Sequence, residues 1–192
     1  LCEWLDEENL ILSEIKEPQD KELVDKGIPL TVFYRFNIAE KSYSELFRIN
    51  KNISKVVVID DERYLLLSDD SLMEELYLKQ THGNFEQFAE IIKRESSYFI
   101  ADEVPFWCNG KGYTNGRRGR LFLYQNGEVT QLSEDDINIC DVQTYRQEYG
   151  LFYGNLSRGI QKTEGRLYYL DYQNMNIIPI DETDTYIYTC AQ

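Results

Sequence analysis

Apolar residues in this chain come in short runs of four to seven, broken by polar turns, and most runs alternate or are apolar throughout. That pattern predicts strands rather than helices. The run Gly119-Arg120-Leu121-Phe122-Leu123-Tyr124 returns about 46 residues later as Gly165-Arg166-Leu167-Tyr168-Tyr169-Leu170. Each copy is followed by a turn and a second apolar run, Val129 to Leu132 and Asn176 to Ile180. Between the copies lie Ile137-Asn138-Ile139-Cys140 and Leu151-Phe152-Tyr153. Four short strands in that period is the spacing of a β-propeller blade. Asn126-Gly127 between two apolar runs predicts a type I′ hairpin, whose central residues both need positive φ.

Upstream, Thr31 to Phe36 and Ser44 to Ile49 read as the outer two strands of an earlier blade, and Ile53 to Ile59 with Tyr64 to Leu67 open the next. The spacing then breaks, and an insertion follows Leu67. Ser71-Leu72-Met73-Glu74 fits a capping box, and Asn84 and Gln87 cap a second helix carrying Phe85, Phe88, Ala89 and Ile92 on one face. The expected fold is therefore all-β: a partial β-propeller of about three to four blades of four-stranded antiparallel sheet, with a helical insertion near 71–95. Residues 1–192 read as a single incomplete propeller domain: a partial blade at 1–50, a blade at 51–133 with its insertion at 71–115, a blade at 134–182, and at 183–192 the first strand of a further blade, carrying Tyr186-Ile187-Tyr188. An arc of blades leaves raw faces, so self-association through open blade edges is expected, by way of residues such as Val56, Val58, Ile139 and Tyr188.

Charge narrows the partners. With 20 basic and 34 acidic residues the chain carries a net charge of −14, which repels nucleic acid and anionic lipid alike. No apolar stretch is long enough to span a membrane. The opening Leu-Cys-Glu-Trp-Leu-Asp has no secretory signature and reads as a cut inside a longer chain. The scattered Cys2, Cys108, Cys140 and Cys190 are expected to be buried reduced thiols, consistent with a cytoplasmic location. With His82 the only histidine, neither a zinc site nor any other metal site or cofactor is expected.

Candidate chemistry is sparse. Gly154-Asn155-Leu156-Ser157-Arg158-Gly159 is one residue too long for the G-x-S-x-G elbow and no helix follows it, so Ser157 is not read as a nucleophile. His82 precedes Gly83 in a polar helix break and reads as a solvated loop residue. Arg117, Arg118 and Arg120 are expected to pair with carboxylates at a blade rim. No catalytic residue is assigned. The segment Ala101 to Gly110 packs Asp102, Glu103, Pro105, Phe106 and Trp107 together. Its carboxylates suit a cation such as a peptide amino terminus, and its aromatics suit an apolar side chain.

The run Asp102-Glu103-Val104-Pro105-Phe106-Trp107-Cys108-Asn109-Gly110, then Tyr113-Thr114-Asn115-Gly116-Arg117-Arg118, then Leu121-Phe122-Leu123-Tyr124, resembles the propeller of bacterial acylaminoacyl-peptidase-like members of the prolyl oligopeptidase family. Trp4 to Leu10 and Lys26 to Tyr34 resemble the opening of the same domain. The resemblance implies a parent serine peptidase in which a propeller caps a C-terminal α/β-hydrolase domain with a Ser-Asp-His triad. This chain would then be the non-catalytic N-terminal part, governing peptide access to a hydrolase domain it does not contain, and inactive alone. Asp102 and Glu103, with Phe106 and Trp107, would contact substrate. Its partners would be that hydrolase domain and a peptide substrate. A self-contained propeller-like module binding a peptide or a sugar is the alternative reading.

Overall fold

The computed structural model describes residues 1–95, 97, 116–145, 148–158 and 160–180. These form three four-stranded antiparallel sheets and three helices. The first sheet runs β1 (Cys2–Trp4), β2 (Asn9–Ser13), β3 (Thr31–Asn37) and β4 (Ser42–Ile49), with α1 (Pro18–Asp25) between β2 and β3. The second runs β5 (Ile53–Val58), β6 (Arg63–Ser71), β7 (Arg117–Gln125) and β8 (Glu128–Gln131), with α2 (Leu72–Gln80) and α3 (Phe85–Glu95) between β6 and β7. The third runs β9 (Ile137–Tyr145), β10 (Tyr149–Arg158), β11 (Ile160–Asp171) and β12 (Asn176–Pro179). Each sheet is a meander whose strands pair in chain order. The architecture is a partial β-propeller of three blades.

The central sheet shows why the blades stack. Along β6, Tyr64 and Leu66 point to one side and Leu65 and Leu67 to the other, and all four are buried. Toward the first sheet, Leu66 and Phe122 pack with Ile11, Phe33 and Phe47. Toward the third, Leu65 and Leu121 pack with Ile139, Phe152 and Leu170. A strand buried on both faces needs an unbroken apolar run, as in Tyr64 to Leu67 and Leu121 to Leu123. Each fully buried Leu or Phe contributes about 1.5–3 kcal/mol, so the two interfaces carry much of the stability. The repeat matches blade geometry: Gly119-Arg120-Leu121 and Gly165-Arg166-Leu167 both lie in third strands, β7 and β11. Asn126 and Gly127 have φ of 52° and 83°, as the type I′ hairpin requires.

Four sequence expectations change. The first sheet is complete, because Cys2–Trp4 and Asn9–Ser13 supply the two strands ahead of the expected outer pair. Helix is not confined to the 71–95 region: α1 begins at Pro18, whose missing N–H suits the first helical position. Ser71 makes no side-chain cap hydrogen bond, although it is the N-cap residue and its φ of −91° and ψ of 129° are those of an ordinary N-cap. Asn84 does cap α3, its Oδ1 accepting from the Glu86 and Gln87 amides at 3.1 Å each, and Phe88 on the apolar face is fully buried. Finally, Val56, Val58 and Ile139 lie inside the blade interfaces rather than on a raw face. Tyr188 is outside the described residues.

The two outer faces of the arc differ. On the first sheet, Val32 and Tyr34 are buried under Ile15, Leu23 and Leu30 from the β2–β3 excursion, and Arg48 Nη1 reaches the buried Asp20 at 3.1 Å. Lys16 Nζ stands 3.1 Å from the Tyr43 ring centroid, closing the same face further out. On the third sheet Tyr145, Tyr149, Ile178 and Ile180 are exposed.

Turn chemistry sets an acid limit on the fold. At the β5–β6 turn, burial alone would raise the Asp60 pKa, but the Arg63 side chain and the Glu62 and Arg63 amides outweigh it and hold the carboxyl below its ordinary value. A carboxyl lowered by folding adds stability above its unfolded pKa, near 3.9, and loses it as pH falls through the folded value. Asp60→Asn is therefore expected to lower the melting temperature at neutral pH and to flatten its fall below about pH 4. Parallel melting curves for the two proteins from pH 7 to pH 2 would contradict this.

Candidate functional site

The first strands of the three sheets, β1, β5 and β9, converge on a groove of about 510 Å³. Glu3 and Trp4 line it from β1, Lys55, Val57 and Val58 from β5, and Val142, Gln143 and Thr144 from β9. All three residues of β1 are exposed, and two of them, Glu3 and Trp4, line the groove. Trp4 is 57% exposed, a large aromatic plate open to solvent. Lys55 Nζ donates to Asp141 Oδ1 at 2.7 Å and to the Val142 carbonyl at 2.6 Å, tying the second blade to the third beside the groove. Chemically the groove offers an indole face, a carboxylate and strand backbone.

A second assembly lies where the insertion joins the central blade. Glu74 and Glu75 sit in the first turn of α2, where the helix dipole favours negative charge. Arg117 Nη2 bonds Glu74 Oε1, Arg120 Nη1 bonds Glu75 Oε2 at 3.1 Å, and Lys79 Nζ lies 3.2 Å from the other Glu75 oxygen. This is the expected pairing of the basic cluster with carboxylates, and it fastens α2 to β7. Arg118 is buried beside them. The helices of the two excursions also meet. A Cβ on Gly27, just past α1, would stand 3.7 Å from Ile92 of α3, and Glu86 of α3 helps raise the Lys26 pKa, after the larger hydrogen-bonding and charge effects of Glu22. Both excursions arise from the loop between second and third strands, so they gather at one end of the propeller. Between α2 and α3 runs a cleft of about 510 Å³ lined by residues including Thr81, Gln87 and Arg94.

Asp102, Glu103, Phe106 and Trp107 lie outside the described residues, as do Cys108 and Cys190. His82 is exposed at φ 50° between α2 and α3. Ser157 falls within β10. Cys2 and Cys140 are exposed and outside any disulfide, contrary to the expectation of buried thiols. In β9 the flanking Ile139 turns into the blade interface, so strand alternation turns Cys140 away from it. Among the described residues no three His, Cys, Asp or Glu side chains converge on a metal position, and no helix is long and apolar enough to cross a membrane. The groove residues Glu3, Trp4 and Lys55, and Asp141 beside the groove, have no local motif. Only the stacking of blades joins them.

No family model matches this chain, and no curated protein matches it. Solved structures do. Acylaminoacyl peptidase from Pyrococcus horikoshii, in an orthorhombic crystal form, matches with a TM-score of 0.52 at 10% identity, over 91% of this chain and 24% of that one. An acylaminoacyl peptidase in complex with Z-Gly-Gly-Phe-chloromethyl ketone matches with a TM-score of 0.52 at 10% identity, over 91% of this chain and 23% of that one. The β-propeller domain of the Trilobed protease from Pyrococcus furiosus, described as having an open velcro topology, matches at 13% identity with a TM-score of 0.45, over 94% of this chain and 41% of that one. The chain thus spans about a quarter of the length of the acylaminoacyl peptidases. The likeness is one of fold, to propeller domains of prolyl oligopeptidase-family peptidases.

Proposed function

We propose that this chain is the non-catalytic propeller portion of a serine peptidase of the prolyl oligopeptidase family, governing which peptides reach a hydrolase domain. The observation that carries the reading is the groove formed by the first strands β1, β5 and β9 in a fold like that of acylaminoacyl peptidase. A groove walled by strand edges and one indole admits an extended segment, whereas a folded domain cannot enter. The helices gathered at one end add a second constriction. Asp102 and Glu103 would hold the amino terminus of the peptide, and Phe106 and Trp107 would flank its side chain. Hydrolysis needs a nucleophile, a base within hydrogen-bond reach and an oxyanion hole, and the hydrolase domain would supply all three.

The test compares this chain with the complete gene product. The complete product is expected to cleave acylated or free aminoacyl chromogenic substrates and to label with a serine-directed fluorophosphonate, while this chain does neither. Removing residues 72–116 from the complete product should raise turnover of long peptides relative to short ones. Absence of labelling and turnover in the complete product would overturn the proposal.

We further propose that the isolated chain self-associates, through the outer face of the third sheet. The exposed Tyr145, Tyr149, Ile178 and Ile180 support that choice of face. Light scattering at tens of micromolar should give a mass above the monomer, and Tyr149→Glu should restore the monomer. A wild-type monomer at that concentration would refute it.

A further inference from the structure

Arg120 lies in the third strand of the central sheet with its side chain fully buried. Its Nη1 is used by Glu75, and Asp135 Oδ1 stands 4.0 Å from that same nitrogen. Its Nε and Nη2 have no hydrogen-bond partner. Those two nitrogens form the side-on edge of a guanidinium, where parallel N–H bonds match the two oxygens of a carboxylate.

Directly across the ladder, Ser68 of β6 pairs with Arg120. Opposed residues of an antiparallel pair share one face, with Cβ atoms about 5 Å apart. Ser68 is fully buried, and its Oγ also has no partner. Leaving a buried polar group unmet is costly, and leaving a charged one unmet is costlier still. Two such groups side by side, one cationic, have the donor set of an oxyanion receptor: a fork for two oxygens, with a hydroxyl beside it.

We propose that Arg120 and Ser68 form a carboxylate-binding site at the base of the helical insertion, taking the C-terminal carboxylate or an acidic side chain of a peptide. The charge balance selects a monoanion. Glu75 already offsets part of the guanidinium charge, and the chain as a whole carries −14, so a phosphate dianion is disfavoured. Chloride fills a fork poorly, having one centre where the fork offers two parallel donors. Because Arg120 is covered, entry requires α2 to lift. The pairs Glu74–Arg117 and Glu75–Arg120 hold α2 down and open only while the carboxylate enters, since it takes Nε and Nη2 and leaves Nη1 to Glu75. The site is independent of the peptidase reading, since any carboxylate-bearing ligand suits it.

The experiment titrates the full chain with acetate, and separately with chloride at matched ionic strength, following the Arg120 Nε–H resonance and the melting temperature. Acetate should move that resonance downfield and raise the melting temperature, and chloride should do neither. R120K, which cannot present the fork, should weaken acetate binding by about tenfold or more. S68A should weaken it by about fivefold, the equivalent of one hydrogen bond. A short peptide with a free C terminus, its amidated form, and an amidated peptide with an internal Glu then identify the source. Binding lost on amidation assigns the C terminus, and binding retained by the Glu peptide assigns the side chain. An Nε–H resonance unmoved by tens of millimolar acetate would overturn the proposal, as would an equal response to chloride or an undiminished response in a folded R120K. If R120K does not fold, the wild-type Nε–H titration decides alone.

Discussion

Replacing Gly119 by alanine is expected to cost about 3 kcal/mol or more and to lower the melting temperature by about 10 °C. Gly119 sits where β7 of the central blade approaches β9 of the third blade. A Cβ there would lie 1.8 Å from the Ile139 carbonyl oxygen and 2.9 Å from its carbon, both backbone atoms. Backbone cannot rotate away as a side-chain tip can, so β9 must retreat. That movement breaks the bond from the Gly119 amide to Asn138 Oδ1 at 2.8 Å and loosens the contact of Leu121 with Ile139 in the interface. Gly127→Ala is the control. Nothing stands within 4 Å of its added Cβ, and the substitution meets only the strain of a positive φ, about 1 kcal/mol. Urea denaturation of the two variants should separate them clearly, and equal midpoints would refute the close-approach argument.

The second large effect belongs to Phe47. Its ring lies in the last strand of the first blade, 4.7 Å from Phe33, 5.1 Å from Tyr64 and 4.0 Å from Tyr124, with which it is stacked. Tyr64 and Tyr124 belong to the second blade, so Phe47 is the bridge. Phe47→Ala is expected to cost about 3–5 kcal/mol, part of it the loss of aromatic pairs worth about 0.5–1.5 kcal/mol each. Because blades contact only their neighbours, a weakened interface should also uncouple them. The denaturation curve should broaden as the first blade unfolds ahead of the other two. Phe36→Ala, on the opposite side of the first sheet, should lower the midpoint less and leave the transition sharp. A sharp transition in Phe47→Ala would show that the blades are not coupled through this ring.

What the sequence made legible follows from how local each cause is. The repeat between Gly119 and Gly165 is visible because third strands of successive blades meet the same geometric demand. The Asn126-Gly127 turn and the Asn84 cap are decided by a few adjacent atoms, so their residues announce them. Cys2–Trp4 went unread because the strand is three residues long and exposed throughout, with no apolar alternation to betray it. α1 went unread because most of its surface is polar, and only Leu23 among its apolar residues packs on the first sheet's outer face. The bond from Lys55 to Asp141 spans 86 residues, and no local pattern encodes such a meeting. Arg120 was legible as a partner for carboxylates, but its unused edge was not. Which of its nitrogens goes unmet depends on where Glu75 falls once α2 is in place.

The unequal outer faces of the arc have a consequence for the order of events at the ribosome. Each blade in the middle of a stack needs a neighbour on both sides before its apolar surfaces are dry. The first blade does not, since Ile15, Leu23 and Leu30 from its own loop already cover Val32 and Tyr34. It therefore needs a neighbour on one side only, and that neighbour is the next stretch to be synthesised. Within this stretch the first sheet is made before the other two, so its self-lidded outer face is already covered while the second sheet is still being synthesised. Each later blade then settles onto a finished surface, and the side turned toward the tunnel stays sticky until its successor arrives.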